Sequence, residues 1–241
     1  MKAIIMAGGE GTRLRPLTCD LPKPMAPLMD RPVMACALEL LKRHGIVEVG
    51  STLMYLPERV QSYFEDGAAF GVSMRYFVEK APLGTAGSMH LAADFLDETF
   101  VVLSGDGVTD CDLTQAVRFH REKKALATLV LKHVENPLEY GVVITDASGR
   151  VTRFVEKPGW GEVFSDTVNT GIYILEPQVL GLIPKDKAFD FGRDLFPQMA
   201  ARGEAVYAWT MSGYWCDIGD VAAYLRAAPQ GKKIISRCVV V

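Results

Sequence analysis

The sequence lacks the features typical of disulfide-rich, zinc-binding, membrane-spanning and secreted proteins. Its five cysteines are odd in number, form no Cys-x-x-Cys pair and are scattered along the chain, which argues against a disulfide framework and a zinc site. No uncharged apolar run approaches the roughly 18 residues of a membrane-spanning helix. The opening run Met1–Ala7 is too short for the apolar core of a secretory signal. We therefore expect free thiols and a cytoplasmic protein.

The chain also lacks a net positive charge, since its 26 Lys and Arg residues are outnumbered by 29 Asp and Glu residues and the formal net charge is −3. This balance argues against nonspecific binding to nucleic acid. The charge is uneven, because residues 1–31 carry five basic and three acidic side chains in an otherwise acidic chain. A locally basic segment of this kind indicates a site for a small anion.

What is present is a globular chain of 241 residues, 49% of them apolar, with no tandem repeat. In its first half, apolar runs typical of buried strands alternate with helical patterns, which predicts βαβ units and a mostly parallel sheet. The predicted strands are Lys2–Ala7, Val47–Met54, Val72–Val78, Phe100–Ser104 and Ala125–Val134, and the predicted helices are Val33–His44, Pro57–Phe64, Gly84–Phe95 and Leu113–Lys123.

The pattern changes after about residue 135. The second half contains a hairpin, a further strand, a helix and a last strand, predicted at Gly141–Thr145 with Val151–Glu156, Val168–Leu175, Asp190–Ala201 and Ala205–Trp209. We predict a Rossmann-like, three-layer α/β/α fold with a mixed, mostly parallel central sheet. A smaller β-rich insertion would cover the carboxyl edge, where open α/β sheets bind ligands. Residues 229–241 read as a terminal strand or as the start of a further β domain.

A glycine-rich loop, Gly8–Leu14, directly follows the first predicted strand. Glycine lets backbone N–H groups approach phosphate oxygens, although such a loop can also be a turn that needs positive φ. No Gly-Lys-Ser/Thr follows, and Leu14 stands where a dinucleotide fingerprint needs its third glycine, which disfavours a nicotinamide-dependent dehydrogenase. Arg13 and Lys23 lie in the same aperiodic stretch and could hold phosphate oxygens.

Acidic residues follow two other turns. Asp106 comes directly after a predicted buried strand and Asp217 lies among aromatic residues and glycine. Each could be a ligand of Mg²⁺, or a cap of a turn or helix. Glu156 and Lys157 end a strand and offer an acceptor for sugar hydroxyls beside a donor for phosphate, unless they form an exposed ion pair. The four histidines show no spacing typical of metal ligands or a catalytic triad, and we interpret them as structural or surface residues.

Together these motifs resemble the sugar-phosphate nucleotidyltransferases. Ala7–Thr18 with Pro22–Met25 matches the signature of that family almost residue for residue. Further motifs follow in family order, at Pro82–Gly87, Ser104–Asp106, Tyr140–Gly141, Glu156–Pro158, Asn169–Gly171 and Trp215–Gly219. The resemblance covers residues 1–228, which we read as one domain with a nucleotide-binding half, 1–134, and a sugar-phosphate-binding half, 135–228.

The resemblance implies a nucleoside triphosphate and a sugar-1-phosphate as substrates and Mg²⁺ as cofactor. It implies no nucleic-acid or membrane partner and leaves a homo-oligomer open. The implied site residues, by role, are catalytic Arg13 and Lys23; nucleotide-binding Ala7, Gly8, Gly11, Thr12, Glu79 and Gly84; sugar-phosphate-binding Tyr140, Gly141, Glu156, Lys157 and Asn169; and metal-binding Asp106 and Asp217.

The choice of substrates depends mainly on Glu79. A carboxylate accepts from both edge donors of guanine, N1–H and the N2 amino group, which favours GTP. The segment Pro82–Gly87 resembles mannose-1-phosphate guanylyltransferases, so GTP and mannose-1-phosphate giving GDP-mannose is the prediction. A glucose-1-phosphate thymidylyl- or uridylyltransferase is the alternative. An inactive regulatory subunit that binds a nucleotide-sugar is the alternative of another class, and the intact arginine, lysine and two aspartates argue against it.

Overall fold

The structure, a computed structural model, describes residues 1–185 and 187–227. The predicted terminal strand or further β domain at 229–241 lies outside the described residues. In the part of the chain that is described, no helix combines the length and the apolar character needed to cross a bilayer.

The secondary structure is numbered in chain order. The strands are β1 (Lys2–Met6), β2 (Pro27–Leu28), β3 (Arg31–Pro32), β4 (Glu48–Leu53), β5 (Ser73–Val78), β6 (Phe100–Ser104), β7 (Gly107–Thr109), β8 (Ala127–His133), β9 (Gly141–Thr145), β10 (Val151–Glu156), β11 (Thr167–Leu175), β12 (Val206–Thr210) and β13 (Trp215–Asp217). The α-helices are α1 (Met34–Arg43), α2 (Pro57–Phe64), α3 (Gly84–Gly87), α4 (Leu113–Lys123) and α5 (Phe196–Ala201), and residues 221–227 are also helical.

The chain divides into two compact units. Among the described residues, unit 1 comprises 1–81, 103–111 and 213–227. In it, β1, β4 and β5 pair in parallel, as their apolar runs predict. Because the strands are parallel, β1, β4 and β5 all end at one edge, so the loops after them start close together.

A buried apolar cluster in unit 1 anchors the loop that follows β1. Leu14 of the glycine-rich loop packs there with Val108 of β7 and with Ile218, the residue after β13. All three side chains are fully buried. The glycine-rich loop is therefore anchored by an apolar side chain, Leu14, that lies between Arg13 and Arg15 in the sequence.

Unit 2 comprises residues 82–102 and 112–212. Its sheet contains the predicted hairpin β9–β10, and β11 pairs antiparallel with both β9 and β8. β12 adds to β8 in parallel. Side chains of β10, β11 and α5 meet in an aromatic cluster made by Phe154, Tyr173, Phe191 and Phe196. The predicted class, a Rossmann-like α/β fold with a mixed, mostly parallel sheet and flanking helices, is confirmed.

Two predicted helices form but are not regular α-helices. Gly84–Phe95 is a single α-helical turn, α3, followed by a 3₁₀ helix over Ser88–Ala92, and the amides of Ala86 and Gly87 bond to the carbonyl of Phe189. Asp190–Ala201 begins with a π-helical turn over Phe191–Leu195 before α5. Both segments carry a glycine inside the helical pattern, where glycine weakens a helix by about 1 kcal/mol relative to alanine.

Candidate functional site

The glycine-rich loop folds back on itself. The Lys23 N–H donates to the carbonyl of Gly9 at 3.3 Å, and the Thr18 hydroxyl donates to the carbonyl of Gly11 at 2.7 Å. Gly11 has φ 70°, and a Cβ there would lie 2.9 Å from Cβ of Lys23. Only glycine fits this turn. The 3₁₀ turn Thr12–Leu14 that follows buries Leu14 and leaves the side chain of Arg13 exposed.

Lys23 points at two carboxylates. Its ammonium group pairs with Asp106 and lies 3.9 Å from Oδ1 of Asp217. The side chains of Lys23, Asp106 and Asp217 are 15%, 13% and 30% exposed, so all three charges are largely withdrawn from water. The Ser104 hydroxyl also donates to Asp106.

Arg13 reaches the same cluster. A Cβ built on Gly219 would lie 3.6 Å from Nη2 of Arg13 and 3.1 Å from Oδ2 of Asp217. The guanidinium therefore approaches Asp217 across the bare backbone of a glycine. The structure thus brings together the two predicted catalytic residues and the two predicted metal ligands, which are separated by up to 204 positions in the chain.

The charges shift one another's pKa values. Burial lowers the pKa of Lys23, but the carboxylates of Asp106 and Asp217 outweigh burial and raise that pKa above its ordinary value. Burial opposes the charge of Asp106 too, yet the Lys23 ammonium holds the pKa of this carboxyl below its usual range. Asp217 is farther from Lys23, and burial together with the Asp106 charge raises the pKa of Asp217 to about 7. One lysine therefore does not fully neutralise two carboxylates.

This imbalance fits a divalent cation. In residues 1–185 and 187–227, no group of three or more His, Cys, Asp or Glu side chains could hold a metal, so a cation beside Lys23 would have the carboxylates of Asp106 and Asp217 as its acidic ligands. Mg²⁺ is commonly held by one or two carboxylates, with water and substrate phosphates completing its shell. A second positive charge beside Asp106 and Asp217 would stabilise both in the ionised form.

The nucleotide-binding residues predicted in unit 1 lie at the ends of its strands. The Ala7 N–H donates to the carbonyl of Thr52 at 2.9 Å, and the Glu79 N–H donates to the carbonyl of Leu53 at 2.8 Å. A Cβ on Gly8 would lie 3.3 Å from Oε1 of Glu79. The Glu79 carboxylate is therefore beside the glycine-rich loop. Gly84 belongs to unit 2, where it turns with φ 75° against the backbone of Phe189, and its role stays a prediction.

The predicted sugar-phosphate residues lie close together in unit 2. Glu156 is paired with Gly141 across the β9–β10 hairpin, and the Lys157 N–H donates to the carbonyl of Tyr140 at 3.0 Å. A Cβ on Gly141 would lie 2.7 Å from Oε2 of Glu156. Burial raises the pKa of Glu156, although nearby Lys157 and Arg193 oppose the shift. Lys157 has φ 46°, a conformation that non-glycine residues adopt rarely and often at functional sites.

Asn169 is held on the neighbouring strand. The register between β11 and β8 shifts after Asn169, where Gly171 has φ 75°. Oδ1 of Asn169 accepts from the Gly171 N–H at 3.2 Å, and its amide nitrogen donates to the Tyr173 hydroxyl at 2.8 Å. Bulges of this kind re-aim side chains and are frequent beside active sites.

Sequence reasoning missed two parts of this second cluster. Tyr173 is 3% exposed and reads as a core residue of β11, although its hydroxyl fixes Asn169. Gly192 also faces Glu156, since a Cβ there would lie 2.7 Å from Oε2. A glycine inside the predicted helix Asp190–Ala201 was the available signal, because such a glycine usually has a packing reason.

Comparison with known proteins places the chain in a family. Residues 2–233 match the family described as nucleotidyl transferase, and the chain belongs to it. A UTP–glucose-1-phosphate uridylyltransferase of Synechocystis is 46% identical over 94% of this chain and 62% of its own length. A mannose-1-phosphate guanyltransferase of Yarrowia lipolytica is 37% identical over 93% of this chain and 62% of its own length. The chain therefore spans less than two thirds of these relatives.

A solved structure has the same fold. HddC from Yersinia pseudotuberculosis, complexed with GMP-PN, superposes with a TM-score of 0.81 at 25% identity, covering 95% of this chain and 98% of that chain.

Proposed function

We propose that the protein transfers a nucleotidyl group from a nucleoside triphosphate to a sugar-1-phosphate, giving a nucleotide-sugar and pyrophosphate. The observation that carries the proposal is the cluster of Arg13, Lys23, Asp106 and Asp217 beside a glycine-lined loop. Membership of the nucleotidyl transferase family and the names of both curated relatives support it.

The reaction explains why the site needs concentrated positive charge. A phosphate oxygen of the sugar-1-phosphate attacks the α-phosphorus of the nucleotide while the bond to the pyrophosphate oxygen breaks. Both reactants are anions that repel each other, so the protein contributes position and charge neutralisation instead of a covalent intermediate. The guanidinium of Arg13 would grip two phosphate oxygens at once, and Lys23 would add a compact point charge.

Asp106 and Asp217 would hold Mg²⁺. When bound, the ion would neutralise charge on the phosphate oxygens. Gly8, Gly11 and Thr12 would line the nucleotide with backbone N–H groups, because the absence of a Cβ at Gly11 keeps the turn tight beside Lys23. Ala7 and Gly84 would border the base.

The second cluster supplies the chemistry that a sugar phosphate requires. Glu156 and Asn169 would bond sugar hydroxyls, and Lys157 would hold the phosphate. Tyr140 and Gly141 would line the pocket, and the lack of a side chain at Gly141 lets the Glu156 carboxylate and the Phe154 ring pack against its backbone. The division at residue 134 into two functional halves, a cytoplasmic location and a homo-oligomeric state remain predictions.

For the particular substrates we propose GTP and mannose-1-phosphate. The Glu79 carboxylate beside Gly8 can accept from both edge donors of guanine, and the structural relative HddC is complexed with a guanine nucleotide, GMP-PN. UTP and glucose-1-phosphate are the second candidate pair, because the relative at 46% identity is named for them.

The test is pyrophosphate release over a grid of GTP, UTP, dTTP and ATP against mannose-1-phosphate and glucose-1-phosphate. We expect GTP with mannose-1-phosphate to be fastest and EDTA to abolish the reaction. If UTP with glucose-1-phosphate is fastest, the second candidate replaces the first. If no pair releases pyrophosphate although nucleotide-sugar binds, the inactive regulatory subunit is the correct assignment.

A further inference from the structure

Two very short strands bring the carboxylates of Asp106 and Asp217 together. β7 and β13 have three residues each and form a two-stranded antiparallel sheet of their own within unit 1. Asp106 directly precedes β7, and Asp217 ends β13 opposite Gly107. The Ile218 N–H donates to the carbonyl of Asp106 at 3.1 Å and closes this end of the pair. We call these two strands the ribbon.

A ribbon of this size depends on contacts outside its two strands, because an isolated two-stranded sheet is marginally stable at best. Part of the stabilisation comes from the buried cluster, to which Val108 and Ile218 belong. The rest comes from hydrogen bonds at the end opposite to Asp106, and these converge on the residues that follow β7.

Asp110 closes that far end. Its carboxylate accepts from the Tyr214 N–H at 2.7 Å, and its own N–H donates to the Tyr214 carbonyl at 3.2 Å. The Thr109 hydroxyl donates to the same carbonyl at 2.8 Å. Gly213 has φ 91°, and a Cβ there would run into the Asp110 carboxylate. The Asp110 carboxylate thus accepts the hydrogen bond that a backbone carbonyl would accept if the strand pair were one residue longer.

The register of the ribbon decides where Asp217 lies. A slip of one residue moves a strand by about 3.3 Å and turns every side chain to the other face. A slip of β13 would move Asp217 away from Lys23 and Asp106 and would turn Ile218 out of the core. The hydrogen bonds at the far end of the ribbon therefore affect the position of the two carboxylates without contacting them.

We propose that Asp110 is a positioning residue that fixes the register of the ribbon and so holds Asp106 and Asp217 at the spacing the metal requires. This inference deepens the proposed function and rests on it for the metal. Asp110 acts through Tyr214 and β13, and no contact with substrate is assigned to it. Residues that hydrogen-bond a metal ligand directly typically change metal affinity or activity by about 10- to 100-fold when mutated, and for Asp110, which acts one step further away, we expect the lower end of that range.

The first measurement is independent of activity. In Asp110→Ala, amide hydrogen exchange of Tyr214 and Ile218 should become faster, and binding of Mn²⁺ alone, followed by electron paramagnetic resonance, should weaken about tenfold. Asp110→Asn keeps an oxygen that accepts from Tyr214 and should behave nearly as wild type. If Asp110→Ala does not fold, Gly213→Ala, which displaces the carboxylate from the other side, takes its place.

Asp112→Ala is the matched control. Asp112 lies two residues away and caps α4 through the Gln115 N–H at 3.0 Å. Its loss should lower the melting temperature and speed exchange at Gln115 while leaving Ile218 and Mn²⁺ binding unchanged. Unchanged exchange at Ile218 in Asp110→Ala, or equal effects in Asp112→Ala, would overturn the inference.

Activity separates this inference from the proposed function. In Asp110→Ala, the Mg²⁺ concentration for half-maximal pyrophosphate release should rise about tenfold while KM for the sugar phosphate stays constant. If the wild type is inactive but its Ile218 exchange still depends on Asp110, the proposed function is refuted and the positioning role of Asp110 is supported. If Asp110→Ala changes only KM for the sugar phosphate and leaves the Mg²⁺ dependence unchanged, the positioning role of Asp110 is refuted.

Discussion

The Lys23–Asp106 pair of unit 1 and three buried groups of unit 2 differ in the protonation state that their surroundings favour. In unit 1, the pKa of Lys23 is raised and that of Asp106 is lowered, so both groups are held in the charged form. In unit 2, burial raises the pKa of Glu156 and of Tyr173 and lowers that of His120, so all three are pushed towards the neutral form.

The difference follows from what lies beside each group. Lys23 and Asp106 neutralise each other at short range, whereas Glu156 is only partly balanced by Lys157 and Arg193. A site for a triphosphate gains from fixed charge, because charge is what the transition state develops. At the proposed sugar-phosphate site, Glu156 and Asn169 would face the sugar hydroxyls, which carry no charge and are bound through hydrogen bonds and shape. Asp217, with its pKa raised to about 7, marks the place in unit 1 where positive charge is still insufficient.

The largest expected effect is loss of charge in unit 1. Arg13→Ala and Lys23→Ala should each lower kcat about 100-fold, in line with about 2.7–4 kcal/mol for one transition-state donor. Lys23→Ala should also lower the melting temperature, because it leaves two carboxylates facing each other. Arg15→Ala is the control, as this exposed arginine lies in the same loop. If the turnover of Arg15→Ala falls as far as that of Arg13→Ala, the effect is not specific to the cluster.

The second effect tests whether Glu79 reads the base. Glu79→Gln replaces a carboxylate that accepts two guanine donors with an amide that accepts only one, and a charge-assisted bond is worth about 1.5–3 kcal/mol. We expect kcat/KM for GTP to fall about ten- to hundredfold, with a smaller loss or a gain for UTP. The measurement is kcat/KM for both nucleotides at one sugar phosphate. Equal changes for GTP and UTP would mean that Glu79 does not select the base.

The third effect lies in unit 2 and should differ in kind. Gly141→Ala would place a methyl group 2.6 Å from Cζ of Phe154 and 2.7 Å from Oε2 of Glu156. Displacing Glu156 should raise KM for the sugar phosphate about tenfold, close to 1.4 kcal/mol, while KM for the nucleotide stays the same. Gly181→Ala, with no atom within 4 Å of the new Cβ, should change neither. A fall in kcat alone for Gly141→Ala would contradict the division of roles.

How far the sequence could predict this arrangement depends on the range of the contacts. The Gly8–Lys23 loop is local, so its glycines and basic residues were identified from their order alone. The approach of Asp217 to Asp106 was predictable only through the family resemblance, because β7 and β13 are too short to show an alternating pattern. Tyr173 was missed because a buried tyrosine on an apolar strand has the same sequence pattern whether or not its hydroxyl is used.

The helices show the same limit. α1, α2 and α4 carry clear periodic patterns and were predicted within about two residues at each end. The segment at 84–95 was predicted as one helix, but it consists of α3 and a 3₁₀ helix that ends at Ala92, and the amides of Ala86 and Gly87 bond to Phe189, about 100 residues away. Local propensity contains no information on such partners.

The smallest effect concerns stability and not activity. His120 is 1% exposed, its Nδ1 lies 2.8 Å from the Thr128 hydroxyl, and its Nε2 lies 3.0 Å from Oε1 of Glu176. Burial lowers the pKa of His120, although Glu176 opposes the shift. The unfolded chain therefore binds more protons than the folded chain below the ordinary histidine pKa of about 6.5, and stability rises with pH through that range.

We expect the free energy of unfolding of wild type to fall between pH 8 and pH 5, and this slope to be shallower in His120→Gln, which stays neutral and can still bond Thr128 and Glu176. Denaturant unfolding at several pH values measures the slope. His133→Gln is the control, since His133 is exposed and bonds only at the surface with Asp166. A slope that flattens equally in both variants would show that burial of His120 is not its cause, and His120 would then drop out of the comparison with Lys23 and Asp106.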